Sequence, residues 1–363
     1  MTPTLALHTL GQSLWLDNIT RHLLRSGTLA RYIADLSVTG LTSNPTIFEN
    51  AIGSGDSYDA SIRVLDAAGL SGEALFFELA LEDLTQAADL FRPIHDATEG
   101  ADGWVSLEVS PLLADNTAHT IEAANRLSKK AARSNLFIKI PGTPEGVRAI
   151  EEVIFDGVPV NVTLLFSREH YLAAAEAYMR GIERRLEAGL DPKVASVASI
   201  FVSRWDVAAS KEMPSPFHNR LGIAIATRIY KAYSELLASD RWKRLAAAGA
   251  QPQRLLWAST GTKDPAASDT LYVEALAAAA TINTLPEKTL LAFADHGKVL
   301  HAMPMDGGYA EDVIAEFRRE GLDDNALATR LQREGVDSFS NSWHALLTRI
   351  REKCATPVLG APA

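Results

Sequence analysis

The chain has 363 residues, of which 47% are hydrophobic and 22% charged, a balance typical of a globular protein with enough length for a large core. Its net charge of −10 excludes a broad surface for nucleic acid or an acidic membrane, because such a surface needs clustered Lys and Arg. An anionic small molecule would need local cations at its site, because the overall field repels it.

Cysteine content and hydropathy indicate a reduced, cytoplasmic protein. Cys354 is the only cysteine, which excludes an intrachain disulfide and a cysteine-based zinc site. Asp17, Asn18, Arg21 and His22 interrupt the apolar residues near the start, so we expect no signal peptide. No segment approaches the roughly 20 apolar residues that a membrane span needs, so we expect no membrane association.

Eight short and nearly continuous apolar segments predict strands that are covered on both faces. In chain order they are LWLDN from Leu14, LSVTGLTSNP from Leu36, WVSLEVSP from Trp104, LFIKIP from Leu136, VPVNVTLLF from Val158, KVASVASIFVS from Lys193, RLLWAST from Arg254 and TINTLP from Thr281.

Helical patterns fill the intervals between these segments. Thr143 and Pro144 predict the start of one helix, which ends at Gly157. Another predicted helix begins after Ser167 and ends at Gly189. Alternating strands and helices predict a parallel α/β fold, and eight strands favour a closed (β/α)8 TIM barrel over an open sheet.

Two further regions predict helices outside the basic alternation. The interval 44–104 is long enough for two or three helices after the second strand, and the stretch 310–352 has helical patterns with breaks at Gly321 and Gly335. No repeat or linker divides the chain. We therefore expect a single barrel domain over residues 1–363 with a helical C-terminal tail at about 305–355.

Polar residues collect at the carboxyl ends of the predicted strands, which together form one mouth of a barrel. They are Asp17, Asn44, Glu108, Lys139, Asn161, Thr163 and Ser199. Side chains alternate along a strand, so Asn161 and Thr163 share one face. Barrel enzymes keep their active sites at this mouth, and the sequence therefore predicts an active site there.

Lys139 is the central candidate. It lies between Ile138 and Ile140, in a segment too apolar for a solvated face. Such surroundings disfavour the ammonium form and leave a nucleophilic amine that can attack a ketone and form an iminium. The alternative is a lysine whose side chain reaches the rim or forms an ion pair with Glu108.

The two acids and Thr163 each have a catalytic and a structural interpretation. Glu108 could shuttle protons at a carbinolamine, directly or through a water held by Thr163, or it could only be the buried ion-pair partner of Lys139. Asp17 could exchange a proton with a substrate hydroxyl, or it could cap the following helix.

The amide residues also have structural alternatives. Asn44 precedes Pro45 and could simply start a turn or a helix. Asn161 and Thr163 could serve only to satisfy buried backbone groups.

Cations suitable for a phosphate follow two strands. Arg204 comes after strand six and Lys263 after strand seven, although either could be an ordinary solvated side chain. His296 and His301 lie near Asp295 but have no third spaced ligand, so we predict no metal site. No P-loop or dinucleotide fingerprint is present, so we predict no nucleotide cofactor.

Several segments together resemble the transaldolase family, and they occur in the family's order. They are TGLTSNPTIF around Asn44, SLEVSP around Glu108, LFIKIPGTPEG around Lys139, VNVTLLFS around Thr163 and LLWAST around Ser259. The resemblance runs from Leu14 to about Gly297. The length and the helical tail resemble the longer subfamily, which is also found fused to phosphoglucose isomerase.

The resemblance implies a class I aldolase-type barrel that needs no metal or organic cofactor, with Lys139 as the Schiff-base lysine. It implies that Asp17 is the acid/base next to the cleaved bond and that Glu108 and Thr163 hold a proton-relaying water. The implied substrate contacts are Asn44, Asn161 and Ser199 to a three-carbon unit, Arg204 to a phosphate, and Ser259 and Lys263 at the same site.

This sequence departs from the family pattern after strands six and seven. Many members have Ser-Pro-Phe-Val-Gly-Arg where this chain has Ser-Ile-Phe-Val-Ser-Arg from Ser199 to Arg204, so the end residues are retained. Compact members carry an arginine near strand seven. Here only Lys263 is available, displaced by an insertion that contains Gly261.

The implied reaction belongs to the non-oxidative pentose phosphate pathway. A dihydroxyacetone unit passes from sedoheptulose 7-phosphate or fructose 6-phosphate to glyceraldehyde 3-phosphate or erythrose 4-phosphate. The alternatives are a fructose 6-phosphate aldolase that uses the same lysine, and a non-catalytic barrel that serves as a binding module. We expect sugar phosphates as partners, no nucleic acid, and a monomer or homodimer.

Overall fold

A computed structural model of the chain describes residues 2–355, so the expected domain range of 1–363 extends beyond the described residues at both ends. Eight parallel strands form a closed barrel in which neighbours along the chain are neighbours in the sheet. The strands are β1 (Ser13–Asp17), β2 (Val38–Thr42), β3 (Val105–Glu108), β4 (Leu136–Pro141), β5 (Val160–Leu165), β6 (Ser196–Phe201), β7 (Arg254–Ala258) and β8 (Ile282–Leu285). The predicted (β/α)8 barrel is confirmed, and every strand lies within one residue of the apolar segment that predicted it.

Helices connect the strands and extend beyond the last of them. In the described part of the chain they are α1 (Pro3–Leu10), α2 (Arg21–Arg25), α3 (Thr28–Leu36), α4 (Pro45–Gly53), α5 (Asp59–Ala67), α6 (Gly72–Ala97), α7 (Thr117–Ala131), α8 (Pro144–Phe155), α9 (Arg168–Glu187), α10 (Ser203–Ala209), α11 (Leu221–Ala238), α12 (Asp240–Ala247), α13 (Leu271–Ala275), α14 (Glu287–His296), α15 (Ala310–Arg319) and α16 (Asp324–Ala355). Not one helix within residues 2–355 combines the length and the apolar character required to cross a membrane.

Local sequence signals place the ends of α8 and α9 as predicted. The side chain of Thr143 accepts a hydrogen bond from the backbone N–H of Gly146 at the start of α8. Ser167 caps α9 in the same way. Gly157 and Gly189, just beyond the two helices, have φ values of +87° and +69°, a region that glycine enters without strain.

The extra helices occur where the sequence predicts them, with one correction. Three helices, α4 to α6, lie between β2 and β3, and Gly321 separates α15 from α16. The predicted break at Gly335 is wrong, because α16 continues through it. A Cβ at Gly335 would lie 2.9 Å from Leu164 Cδ2 and 3.3 Å from Arg204 Nη1, so the glycine permits close packing there.

Aromatic side chains fill the barrel beneath the predicted active site. The rings of Trp104 and Phe137 stack with centroids 4.1 Å apart, and the ring of Trp15 lies 6.2 Å from that of Phe137. Gly40 on β2 leaves room for Trp15, because a Cβ there would lie 2.5 Å from the indole. Phe137 precedes Lys139 by two residues on the same face of β4, so this layer supports the lysine from below.

Helix α16 crosses the mouth of the barrel at the carboxyl ends of the strands. Gln332 donates hydrogen bonds to the carbonyl oxygens of Gly142 and Leu164, at 3.0 and 2.9 Å. Further along the helix, the indole N–H of Trp343 donates to Glu73 Oε1 at 2.8 Å. The helix is therefore held on both sides of the mouth, near β4 and β5 at one end and near α6 at the other.

Candidate active site

Strand register aligns three of the predicted polar residues in one row. Glu108 on β3 pairs with Lys139 on β4, and Lys139 pairs with Asn161 on β5. Paired residues of neighbouring parallel strands lie side by side, so this register places the three side chains in one row across the barrel, with Lys139 in the middle.

Lys139 is 5% exposed, and its amine has two acceptors. Nζ donates to Glu108 Oε2 at 2.9 Å and to the backbone carbonyl of Ser43 at 3.1 Å. Because Lys139 also lines a cavity, the structure combines the ion pair that the sequence left open as an alternative with access to a small molecule.

Glu108 is 4% exposed, so burial raises the pKa of its carboxyl, while the Lys139 cation acts in the opposite direction. Its Oε1 atom has no hydrogen-bond partner among the described residues, and neither does Thr163 Oγ1. A buried polar atom without a partner is costly. These two atoms are therefore suited to hold a polar group that enters the cavity.

Asp17 lies at the end of β1 and lines the same cavity. It accepts a hydrogen bond from Thr42 Oγ1 at 2.7 Å, and Thr42 Oγ1 lies 2.6 Å from Thr284 Oγ1. Burial raises the pKa of Asp17, opposed first by the Lys139 cation and then by the bond from Thr42. The alternative role of Asp17 as a helix cap is wrong, because Thr20 caps α2.

Asn161 and Ser199 form a hydrogen-bonded pair of buried side chains. Ser199 Oγ donates to Asn161 Oδ1 at 2.7 Å, and Asn161 Nδ2 donates to Ser106 Oγ at 3.1 Å. Asn161 thus bonds side chains and not the backbone groups that we considered as its alternative partners. Its amide is held in one orientation behind Ser199, which lines the cavity.

Asn44 combines both of the roles that its position suggested. Its Oδ1 accepts from the backbone N–H of Ile47 at 3.0 Å and caps α4, whose first residue is Pro45. It also lines the cavity beside Lys139. Capping fixes the side chain without removing it from the site.

Arg204 and Lys263 reach the cavity from two different loops. Arg204 lies in the first turn of α10, directly after β6, with its guanidinium carbon 5.2 Å from the ring centroid of Phe201. Burial lowers the pKa of Arg204. Lys263 follows β7 and is exposed, but it lines the same cavity. Ser259 joins them there, and its Oγ lies 2.9 Å from Ser203 Oγ.

The cavity has a volume of about 460 Å³, within the usual size range of small-molecule sites. Eight of the ten residues predicted for the site line it, and the remaining two, Glu108 and Asn161, lie directly behind Lys139 and Ser199. A second, more apolar cavity of about 590 Å³ lies elsewhere, between α11, α13 and α15, and contains none of the ten.

Several residues of the site were not predicted. Thr42 and Thr284 position Asp17, and the sequence signal for Thr42 was present in the TGLTSNP segment, two residues before Asn44. Phe339 on α16 also lines the cavity, with its ring centroid 5.5 Å from Lys139 Nζ. No local pattern marks Phe339, because nothing in the sequence places α16 over the mouth.

The histidines near Asp295 lie outside the site. His296 bonds Asp269 at 2.9 Å and Asp295 at 3.2 Å, and all three side chains are exposed. Among residues 2–355, no group of three or more potential metal ligands comes together.

The fold and the site define the class: a (β/α)8-barrel enzyme with a buried lysine and two acids at its mouth. The sequence model of the Transaldolase/Fructose-6-phosphate aldolase family matches residues 14–350. Curated relatives include the transaldolases of Saccharopolyspora erythraea (46% identical, 96% of each chain covered), Thermobifida fusca (43%, covering 98% of this chain and 99% of the relative) and Thiobacillus denitrificans (44%, covering 96% and 100%). The chain belongs to the transaldolase/fructose-6-phosphate aldolase family.

Proposed function

We propose that the protein is a transaldolase that transfers a dihydroxyacetone unit between sugar phosphates through a Schiff base on Lys139. The observation that carries this proposal is the amine of Lys139, buried between Glu108 and the Ser43 carbonyl and open to a 460 Å³ cavity. Full-length similarity to curated transaldolases supports the same reaction.

In the first stage Lys139 attacks the C2 ketone of the donor, fructose 6-phosphate or sedoheptulose 7-phosphate. Loss of water from the carbinolamine then requires a proton at the departing hydroxyl. Glu108 bonds Nζ directly, and neither its other oxygen nor Thr163 Oγ1 has a hydrogen-bond partner within residues 2–355. We assign the proton transfer to Glu108, acting directly or through a water shared with Thr163.

In the second stage the iminium withdraws electrons from the C3–C4 bond while Asp17 removes the proton from the C4 hydroxyl. The raised pKa of Asp17 suits it to accept this proton and later to return it to the acceptor's oxygen. Thr42 holds one carboxylate oxygen and leaves the other for the substrate. Cleavage releases an aldose phosphate and leaves the dihydroxyacetone enamine on Lys139.

The remaining residues hold the two ends of the substrate. We assign the hydroxyls of the three-carbon unit to Asn44, Ser199 and Asn161, which lie around Lys139 or directly behind the cavity wall. We assign the phosphate to Arg204 and Lys263, which supply the local positive charge that an acidic protein otherwise lacks, with the Ser259 hydroxyl as a further contact.

The alternative activity is that of a fructose 6-phosphate aldolase, which the family description also names. It would use the same lysine and release free dihydroxyacetone. The curated relatives that align over nearly the whole chain are transaldolases, which favours transfer. We place the reaction in the cytoplasmic non-oxidative pentose phosphate pathway, with sugar phosphates as substrates and a monomer or homodimer as the working unit.

Borohydride trapping tests the proposal. The protein is mixed with fructose 6-phosphate without an acceptor, reduced, and analysed by intact-mass and peptide mass spectrometry. We expect a dihydroxyacetone-sized adduct on Lys139 that is absent from Lys139→Ala. Adding erythrose 4-phosphate before reduction should discharge the adduct and yield sedoheptulose 7-phosphate.

Two results would count against the proposal in different ways. A folded wild-type protein that forms no adduct contradicts the lysine mechanism. An adduct that forms but yields free dihydroxyacetone, and no sedoheptulose 7-phosphate when erythrose 4-phosphate is present, identifies the aldolase instead.

A further inference from the structure

The aromatic ring of Phe339 covers the reactive amine from the side of the C-terminal helix. Its centroid lies 5.5 Å from Lys139 Nζ and 5.8 Å from the guanidinium carbon of Arg204. One side chain of α16 therefore contacts both the proposed Schiff-base nitrogen and the proposed phosphate ligand, although α16 lies outside the eight strand–helix units of the barrel.

The position of this ring is fixed by its neighbours. Phe339 is 5% exposed and packs edge-on against Phe201, with ring centroids 6.5 Å apart. Two turns earlier on the helix, Gln332 donates to the carbonyl oxygens of Gly142, directly after β4, and Leu164 on β5. One turn later, Trp343 bonds Glu73 and packs on Phe76. The part of α16 that carries Phe339 is therefore anchored on both sides of the ring.

We propose that Phe339 is a further active-site residue, which keeps water from the carbon–nitrogen adduct on Lys139 and so favours transfer over release of free dihydroxyacetone. The inference rests on the proposed function and extends it. It gives the C-terminal helix a role in whether the enamine on Lys139 is hydrolysed or reacts with the acceptor.

The chemistry of release explains why a covering ring matters. For release, the enamine takes a proton at carbon and becomes an iminium. Water then adds to C2, the C2–N bond breaks, and dihydroxyacetone leaves with the amine of Lys139 restored. In transfer, the enamine carbon first attacks the aldehyde carbon of the acceptor. Only afterwards does water add to C2 of the new ketose iminium, break the C2–N bond and restore the amine of Lys139. An apolar ring beside Nζ slows water addition before the acceptor arrives, and so favours acceptor attack over release of free dihydroxyacetone.

The test compares two products of the same enzyme. The first is free dihydroxyacetone formed from fructose 6-phosphate alone, and the second is sedoheptulose 7-phosphate formed when erythrose 4-phosphate is added. We expect Phe339→Ala to raise the ratio of release to transfer by about tenfold, the change that about 1.4 kcal/mol in relative barrier produces. Phe339→Leu should raise the ratio less, because it keeps more apolar volume beside the amine.

The matched control is Phe317→Leu. Phe317 is fully buried on α15 and packs on Phe217 with centroids 5.0 Å apart, away from the residues that line the active-site cavity. Its ratio should equal that of the wild type. The ratio separates the proposed role from a structural one, since a loosened protein loses release and transfer together.

An unchanged ratio in folded Phe339→Ala would overturn the inference, whatever happens to the overall rate. Circular dichroism and thermal unfolding establish that the variant is folded. If Phe339→Ala does not fold, Phe339→Leu decides the question, and a ratio equal to the wild type's overturns the inference. A wild type that traps an adduct but forms no sedoheptulose 7-phosphate contradicts the proposed transfer itself. This result is distinct from an unchanged ratio in either Phe339 variant, which contradicts only the role of Phe339.

Discussion

At the scale of single residues, the site depends on an ion pair that is removed from water. Lys139 and Glu108 are 5% and 4% exposed, and each supplies the charge that offsets the other's desolvation. Removing one partner of such a pair leaves an uncompensated buried charge and costs about 3–5 kcal/mol. The pair to which we assign the proton transfer therefore also supports the fold.

Lys139→Met is expected to make stability depend strongly on pH. Burial raises the pKa of Glu108, and in the variant no cation opposes that shift. Protonation of Glu108 then removes a buried charge, so the variant should be most stable at mildly acidic pH and lose free energy of unfolding as pH rises through the raised pKa. Urea unfolding at pH 5 and pH 8, followed by circular dichroism, measures this difference.

The double variant Lys139→Met/Glu108→Gln is the control for this prediction. It contains neither charge, so its stability should differ less between the two pH values than that of Lys139→Met. Equal pH dependence in the single and the double variant would mean that Glu108 does not carry the effect.

Some side chains of the site follow from local sequence and others do not. Asp17, Glu108 and Lys139 lie toward the carboxyl ends of their strands, and parallel strands bring these ends together, so their convergence was predictable. The hydrogen bonds that Thr42 makes with Asp17 and Thr284 depend on how β1, β2 and β8 face one another inside the closed barrel. A period of two along one strand does not encode contacts between strands.

At the scale of elements, α16 depends on a glycine that ordinarily weakens a helix. Glycine in a helix interior costs about 1 kcal/mol relative to alanine. Gly335 nevertheless lies within α16, where Leu164 and Arg204 approach within 3.4 Å of where a Cβ would be. Close packing of the helix on the mouth offsets the lost helix propensity.

Gly335→Ala is therefore expected to destabilise the protein although it raises helix propensity. Leu164 is 1% exposed and has a φ of +58°, so it has little room to move away from a new methyl group. Overpacking costs about 1–3 kcal/mol. The KM for fructose 6-phosphate should also rise, because the methyl group displaces Arg204. Urea unfolding and steady-state kinetics measure the two effects.

Asp337→Ala, at an exposed position on the same helix, is the matched control and should change both quantities little. A Gly335→Ala variant that is more stable than the wild type and keeps its KM would show that Leu164 and Arg204 move away from the new methyl group at little cost in free energy.

At the scale of the whole molecule, a cluster of charges joins the C-terminal helices to the barrel. Asp324, the first residue of α16, is 3% exposed and accepts hydrogen bonds from Arg228 on α11 at 2.8 Å and Arg318 on α15 at 2.5 Å. Burial opposes ionisation of Asp324, but the bonds from Arg318 and Arg228 outweigh it and hold the pKa below its ordinary value.

Asp324→Asn is expected to lower the free energy of unfolding by about 2 kcal/mol at neutral pH, because the bonds from Arg228 and Arg318 lose a charged acceptor, while Arg228 keeps its bonds to Glu311. A depressed pKa contributes stability above the unfolded value that is lost as pH falls through the folded one. The difference between wild type and variant should therefore shrink below about pH 4. Urea unfolding across pH 3 to 7 measures it.

Asp312→Asn, on the exposed face of α15, provides the comparison and should stay within about 0.5 kcal/mol of the wild type. A constant difference between wild type and Asp324→Asn at all pH values would show that ionisation of Asp324 does not stabilise the junction.

The sequence by itself determined the eight strands, the helix ends at Gly157 and Gly189, and the polar residues that meet at the mouth. These features depend on local rules, namely apolar runs, caps and side-chain alternation, which act over a few residues. Only the tertiary structure decided the path of α16, the continuity of that helix through Gly335, and the place of Phe339 beside Lys139. Gln332 and Gly142 are 190 residues apart in the chain and 3.0 Å apart in space. Such contacts depend on which faces of distant elements pack together, and no local pattern specifies that choice.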